Sequence, residues 1–251
     1  MHHRIGEPGR ITLNDLTASL QMGWQFFRLI PLPSVIYASL ATLIGLLLLI
    51  AIGRLGVSPM SIPLIGGFML VAPVMLSGFF QMFLIAKQGR KPNLSTPFAA
   101  FFHSPLSIWM IAIFCAFVFL IWITDAAVLY SFTIGGFELP YQPPWLLRFE
   151  QEILAFWFWS ALMGSVLALI IFCVSAFSVP LIFEGRGTLV QTVHASVRAV
   201  LHNLIPCLAW AVLLALSMLF SILLLPCLLL ILPVMAYASF DLYRKIFPCD
   251  D

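Results

Sequence analysis

LIPCLAWAVLLALSMLFSILLLPCLLLILPVMAYASFDLY, residues 204–243, is a run of apolar sequence whose only charged residue is Asp241. As a single helix it would be about 60 Å long at 1.5 Å per residue, twice the thickness of the hydrocarbon core of a bilayer. The run therefore predicts two membrane spans, 204–224 and 226–243, joined by a turn near Pro226. A pair of this kind is typical of an integral membrane protein.

The rest of the chain has a matching composition. Of its 251 residues, 62% are hydrophobic and 9% are charged, whereas about a quarter of the residues of a soluble domain are charged. No polar linker divides the sequence, so we expect one all-α membrane domain, residues 1–251, with six spans arranged as three hairpins. The four further spans are predicted at residues 34–53, 62–86, 106–131 and 153–183.

Three amphipathic segments are predicted, one before each hairpin, over residues 12–29, 96–104 and 188–203. In the third, apolar residues recur at helical spacing on one face and polar residues on the other. We expect these segments to lie in the cytoplasmic interface with the apolar face toward the acyl chains. The apolar face of the third segment consists of Leu189, Val193, Val197, Val200 and Leu204, and its polar face of Gln191, His194, Arg198 and His202.

Capping boxes mark the start of two of these segments. Thr188 with Gln191, and Thr12 with Asp15, have the three-residue spacing at which each side chain satisfies a free backbone N–H of the other residue. Both segments are therefore predicted to begin as regular helices directly after the threonine.

Basic residues are divided unequally between the two sides that six spans define. Ten fall on one side and two, Arg54 and Arg148, on the other. Because short cytoplasmic loops carry the excess of Lys and Arg, both termini are predicted to be cytoplasmic. The ten residues are Arg4, Arg10, Arg28, Lys87, Arg90, Lys91, Arg186, Arg198, Arg244 and Lys245.

Prolines and small residues interrupt several spans. Pro73 and Pro180 predict kinks in the second and fourth spans. Gly66-Gly67 indicates either a close helix contact or backbone exposed to a pore. A stripe of small residues in the fourth span, Ser160, Gly164 and Ala168, predicts a helix contact face.

A threefold pattern runs through the chain. The dipeptide Gly-Arg occurs at 9–10, 89–90 and 185–186, and each copy precedes an amphipathic segment, a proline and two spans. Either an internal repeat or the general placement of basic residues and prolines in membrane hairpins explains the pattern. In a closer echo, Pro73-Val74-Met75 with Phe80 matches Pro233-Val234-Met235 with Phe240.

Short motifs spread over nearly the whole chain are similar to those of one family. They are Gly23-Trp24 with Phe27, Pro63-Leu64 with Gly67-Phe68 and Pro73, Pro180-Leu181, Ser196-Val197-Arg198-Ala199-Val200 with Asn203 and Trp210, and Pro233 with Leu242-Tyr243-Arg244. By these motifs the chain resembles a bacterial family of predicted integral membrane proteins, domain of unknown function 2189. The resemblance implies topology far more than activity. Some members are labelled as a cytochrome oxidase component, which is a hint toward respiratory complexes.

Members of that family usually carry two histidines in the last span, in a pattern like Gly-His-Ala-Thr-Trp-His-Leu-Tyr-Arg. Here residues 236–244 read AYASFDLYR, so Tyr237 and Asp241 stand at the histidine positions. A metal or haem role for those histidines therefore does not extend to this chain. We predict no metal, no cofactor and no nucleic-acid partner.

Few polar residues are candidates for a site. Asp125 is the only acidic residue well inside a predicted span, as a proton or cation relay or as an interfacial carboxylate. His194, Arg198 and His202 share a helical face that either contacts lipid headgroups or a partner, or is simply solvated. Asp241 with Arg244 has the spacing of an ion pair at the membrane edge.

Three hypotheses for function follow. The leading one is a non-enzymatic protein of the bacterial inner membrane, an accessory or assembly component of a membrane complex or of the envelope, with the lipid bilayer and other membrane subunits as partners. The alternative is a small transporter or channel with broken helices. An enzyme that modifies lipids at the interface is the least favoured, since no catalytic motif is present.

Overall fold

The computed structural model describes residues 6–55, 72–133 and 151–248, and the regular secondary structure in these ranges is helical. Apolar composition and the scarcity of strand-like alternation account for this class. The helices are α1 (Leu13–Leu29), α2 (Pro31–Leu55), α3 (Ala72–Lys87), α4 (Thr96–Phe102), α5 (Leu106–Thr133), α6 (Gln151–Ser175), α7 (Ser178–Phe183), α8 (Leu189–His202), α9 (Leu204–Leu223) and α10 (Leu225–Ile246).

The described residues contain four helical segments long and apolar enough to cross a membrane. The count is five if α1 and α2, which meet at 103°, form one bent span. The predicted all-α membrane architecture is thus confirmed, whereas the arrangement of six spans as three hairpins stays a prediction. Gly66-Gly67 and the start of the second predicted span lie outside the described residues. The four segments are Leu106–Phe132, Leu154–Phe183, Leu204–Ser221 and Leu225–Ile246.

Helix α10 is at the centre of the fold and packs against α1, α2, α3 and α9. Half of its most apolar window is buried inside the protein, compared with 17% for α9. At the crossing with α1, a Cβ added to Gly23 would lie 2.5 Å from the Val234 carbonyl oxygen and 2.9 Å from the Ala238 Cβ. Only glycine therefore permits this approach of the two backbones.

Aromatic rings fill the space between α3 and α10. Phe80 and Phe240, the two phenylalanines of the sequence echo, stack with ring centroids 4.5 Å apart. Phe83 meets Phe240 edge-on at 5.2 Å, and Phe79 meets Tyr237 edge-on at 5.8 Å. All five rings are buried. Stacked and edge-to-face pairs are favourable beyond the area they bury, so this cluster fixes the two helices against each other.

Helices α5 and α6 form a hairpin at the edge of the fold. The Trp122 ring lies against Gly164, and its Nε1–H donates to the Ser160 carbonyl oxygen at 3.4 Å. Two residues of the predicted small-residue stripe thus contact α5, whereas Ala168 is exposed. Only 28% and 33% of the most apolar windows of these spans are buried.

The fourth span breaks one turn before Pro180, between α6 and α7. Proline lacks the N–H that would bond the Ala176 carbonyl, and its ring crowds that carbonyl, so a break there is expected. Ser196 of α8 enters the gap: its Oγ accepts the Phe177 N–H at 3.2 Å and donates to the Cys173 carbonyl oxygen at 2.8 Å. Those two backbone groups would bond each other in an unbroken helix.

Two of the three Gly-Arg dipeptides end helices in the same way. Gly89 and Gly185 have φ of 72° and 70°, a left-handed conformation that glycine adopts without strain. Their N–H groups and those of the following arginines bond back to carbonyls in the last turns of α3 and α7, as in a Schellman motif. Gly9 differs, since its N–H donates to the Ile246 carbonyl oxygen at the end of α10, 2.8 Å away.

The three amphipathic helices α1, α4 and α8 differ in which helix they pack on. Helix α4 packs on α3 and α8 packs on α6 and α7, so each contacts the apolar helix that precedes it in sequence. Helix α1 has no preceding span among the described residues, and it packs on α10 instead. The first and last parts of the described chain are therefore neighbours.

Candidate functional site

The capping boxes predicted from sequence form at both helices. Gln191 Oε1 accepts the Thr188 N–H at 3.1 Å, and Thr188 Oγ1 accepts the Gln191 N–H at 3.4 Å. Asp15 Oδ2 accepts the backbone N–H and the hydroxyl of Thr12 at 2.8 and 2.7 Å. The backbone N–H first, and then the hydroxyl, hold the pKa of the Asp15 carboxyl below its ordinary value.

Helix α8 has three faces instead of the two that the sequence predicted. Its inner face is made of small residues and packs into the protein. Val200 is buried, and Leu189 and Val193 pack against the core, so the expectation that the whole apolar face meets acyl chains was wrong. A periodicity of apolar residues cannot by itself distinguish contact with lipid from contact with protein. The inner face consists of Thr192, Ala195, Ser196, Ala199 and Val200.

The structure brings His194, Arg198 and His202 together on the outer face of α8, as predicted. All three are exposed, and with Val197 and Leu201 they line an open depression of about 420 Å³. Arg198 Nη2 lies 3.0 Å from Glu7 Oε1 in the N-terminal segment, and both side chains are mostly exposed. The depression therefore holds one arginine and two histidines, with the Glu7 carboxylate at its edge.

Asp241 does not pair with Arg244, so that predicted ion pair was wrong. Its Oδ2 accepts the Ser19 hydroxyl at 2.8 Å and lies 3.3 Å from Lys245 Nζ, one helical turn away. Lys245 also donates to Ser19 Oγ at 2.9 Å. Helix α1 covers this side of α10. The Ser19 hydroxyl of α1 bonds both Asp241 and Lys245, so Asp241 pairs with Lys245 and not with Arg244.

Arg244 instead pairs with Glu184, a residue that the sequence analysis did not single out. Glu184 Oε1 accepts from Arg244 Nη2 at 2.9 Å, and its Oε2 accepts the Tyr243 hydroxyl at 2.7 Å. The Glu184 side chain is 9% exposed. Arg186 completes the cluster and donates to the Phe247 carbonyl oxygen at 2.8 Å. The sequence signal that could have indicated Glu184 is its position directly before the Gly-Arg dipeptide that ends α7.

Asn203 holds the N-terminal segment in place. Its Oδ1 accepts the Ile11 N–H at 2.9 Å, and its Nδ2 donates to the Gly9 carbonyl oxygen at 3.0 Å. The residue is 4% exposed. Its two bonds resemble those of a strand pair, because an amide side chain offers a donor and an acceptor side by side.

Asp125 is half-buried on α5, apart from these clusters. Nothing in the described residues tests its predicted role as a relay. Within the same ranges, no three metal-ligating side chains converge.

Apolar spans, exposed aliphatic surfaces and a polar cluster at one end together define a multi-pass helical membrane protein. Residues 61–184, about half of the chain, match the family model described as "Predicted integral membrane protein (DUF2189)". Over those residues, the match confirms the resemblance predicted from sequence. Neither the curated proteins nor the solved structures include a match to the chain.

Proposed function

We propose that the protein is a non-enzymatic accessory or assembly component of a membrane complex in the bacterial inner membrane. The observation that supports this is how its polar side chains are used. Glu184, Arg244 and Lys245 bind other parts of the same chain, and every fully buried polar side-chain atom of the described residues has a hydrogen-bond partner. The polar groups thus stabilise the fold itself, and the outer surface is the part of the protein that contacts other subunits.

That outer surface is broad and apolar on α9. The helix is the least buried of the four spans, and its large side chains point away from the protein over several turns. Such a face suits contact with lipid or with helices of another subunit. The outward residues are Leu204, Leu208, Val212, Leu216, Leu219 and Phe220.

Photocrosslinking in native membranes tests the proposal. A photoreactive phenylalanine analogue replaces Leu216, which is 59% exposed, and the matched control replaces Trp210 on the inner side of the same helix, 2% exposed. We expect a protein adduct of defined mass at Leu216 and none at Trp210, identified by mass spectrometry after gentle extraction. Lipid adducts alone, together with a homogeneous isolated protein, would argue against an accessory role.

The topology is part of the proposal. We infer six spans with α1, α4 and α8 on the cytoplasmic surface and both termini cytoplasmic, because basic residues are concentrated on that side. The 103° turn between α1 and α2 supports a surface helix followed by a span. Reporter fusions after Lys91 and after Leu224 test this: a fluorescent cytoplasmic reporter is active only at Lys91, and a periplasmic phosphatase only at Leu224. The reverse result contradicts the orientation.

A transporter is the less favoured proposal. It needs a polar pathway through the bundle, and the buried aromatic rings of α3 and α10 occupy the space where those spans meet. At the break in the fourth span, Ser196 bonds both the Phe177 N–H and the Cys173 carbonyl, so these two backbone groups are not available to line a pathway.

A further inference from the structure

The outer face of α8 carries two strips side by side. One is polar and follows a four-residue spacing through His194, Arg198 and His202. The other is made of aliphatic side chains that extend away from the protein. The aliphatic strip consists of Val190 and Leu201 on α8, which are 77% and 65% exposed, and it continues at Ile205 in the first turn of α9, which is 73% exposed.

The aliphatic strip continues into the membrane surface of the next span. Helix α9 begins at Leu204, and Asn203 alone separates it from the end of α8. Its exposed apolar side chains run on from Leu204 to Val212. A helix whose apolar strip joins the surface of a span lies at the boundary of the acyl chains. Its adjoining polar strip then lies at the level of the lipid phosphates.

Arg198 already holds an anion at this position. Its Nη2 contacts one carboxylate oxygen of Glu7, and Glu7 is 85% exposed. A guanidinium presents five N–H donors in a planar fork that matches a phosphate better than a single carboxylate oxygen. Exposed ion pairs of this type are weak, so a lipid phosphate is able to replace Glu7.

The strip is rigid because the other faces of α8 are fixed. A capping box forms the first turn, Ser196 is inserted in the broken fourth span, and Asn203 holds the segment that carries Glu7. Donors on a fixed helix bind with less loss of conformational entropy than donors on a loop.

We propose that Arg198, flanked by His194 and His202, binds the phosphate of an anionic phospholipid headgroup, and that Glu7 is an internal competitor for the same site. This inference rests on the proposed position of α8 at the bilayer surface and is independent of the accessory role.

The experiment measures the preference for phosphatidylglycerol over phosphatidylcholine. Spin-labelled versions of both lipids are added to the whole protein in phosphatidylcholine nanodiscs, and the motionally restricted fraction gives their relative affinities. Replacing Arg198 by Gln should lower the preference about five-fold, the effect of one basic residue near an anionic surface. Glu7→Gln should raise the preference, because the competitor loses its charge.

Arg90→Gln is the matched control, an exposed arginine in the α3–α4 connection. Equal losses for Arg90→Gln and Arg198→Gln would show a diffuse surface charge and overturn the proposal, as would an unchanged preference in Glu7→Gln. Inorganic phosphate at constant ionic strength should not displace the lipid; displacement would assign the site to a soluble anion. If Arg198→Gln instead removes a copurifying protein and leaves lipid preference intact, the strip belongs to a protein partner.

Discussion

The polar end of α10 and the α5–α6 hairpin belong to one membrane protein but are held in different ways. Around α10, backbones approach through Gly23, rings stack, and Glu184 links two arginines to the helix end. The hairpin is held by the Trp122 ring against Gly164 and by an edge-on contact of Tyr130 with Phe156 at 5.8 Å. The difference teaches that the apolarity of a span does not determine its packing: α5 is as apolar as any span here, yet most of it faces outward.

Removing the Glu184 carboxylate should cause the largest loss of stability among these variants. A smaller loss would contradict the difference drawn between the two regions. Glu184→Ala leaves Arg244 and Arg186 without the nearly buried counter-charge that they share. We expect the free energy of unfolding to fall by about 3 kcal/mol, measured by detergent unfolding followed by tryptophan fluorescence. Glu7→Ala, in an exposed pair, is the control and should cost less than about 0.5 kcal/mol. Similar losses for both would mean that burial of Glu184 adds nothing.

Gly23→Ala tests the backbone contact between α1 and α10. The new Cβ would overlap the Val234 carbonyl, and backbone cannot move as a side chain can, so we expect a loss of about 2 kcal/mol. Gly45→Ala is the control, since its Cβ would meet only the Leu225 Cδ2 at 3.5 Å. Thermal unfolding in detergent should show unchanged stability for Gly45→Ala. A stable Gly23→Ala protein would contradict the close packing of α1 on α10.

Ser196→Ala tests how the end of the hairpin is held, because Ser196 joins α8 to the break after α6. The substitution leaves the Phe177 N–H and the Cys173 carbonyl without their partner, at a cost of about 1.5 kcal/mol. Ser165→Ala removes an exposed hydroxyl on α6 and should have no measurable effect. Hydrogen exchange at Phe177 gives a direct measurement; unchanged protection there would exclude the inserted hydroxyl as its partner.

Gly164→Ala sharpens the comparison within the hairpin. Its Cβ would approach Trp122 Cε2 to 2.8 Å, an overlap as severe as at Gly23, but with a partly exposed side chain that is able to rotate. We expect a loss below about 1 kcal/mol, with a change in the fluorescence environment of Trp122. A loss equal to that of Gly23→Ala would show that the hairpin is as tightly packed as α10.

Asp15→Asn should give the smallest effect. The lowered pKa of Asp15 means that its carboxylate stabilises the fold above the ordinary carboxyl pKa, and that this contribution disappears as the pH falls through the lowered value. We expect about 0.5 kcal/mol at neutral pH. Unfolding temperatures of the two proteins, measured from neutral to acidic pH, should converge at low pH. Divergence would reverse the sign of the pKa shift.

Local signals in the sequence predicted helix bounds closely. The threonine caps placed the start of α1 and α8 within one residue, because a capping box depends on residues three apart. The kink predicted at Pro180 also depends on a short-range effect, because the missing proline N–H acts within one helical turn. The caps and breaks of this fold are therefore legible from short segments alone.

The partners of the charged residues could not be predicted in this way. Asp241 has basic residues at i+3 and i+4, and only Ser19, 222 positions away, decides between them. Glu184 meets Arg244 across 60 positions. Periodicity also could not tell which apolar side of α8 faces protein, because core and acyl chains attract the same residues.

The bond from the Gly9 N–H to the Ile246 carbonyl makes neighbours of α1 and α10, which are far apart in sequence. At the other two Gly-Arg positions the peptide chain itself connects α3 to α4 and α7 to α8. Between α10 and α1, the Gly9–Ile246 hydrogen bond and Asn203 make the connection instead. Helices α10 and α1 are therefore neighbours that hydrogen bonds join, with no connecting peptide between them. A circularly permuted chain, with a peptide link from the end of α10 to the segment before α1 and new ends at another connection, would retain every contact described between α1 and α10.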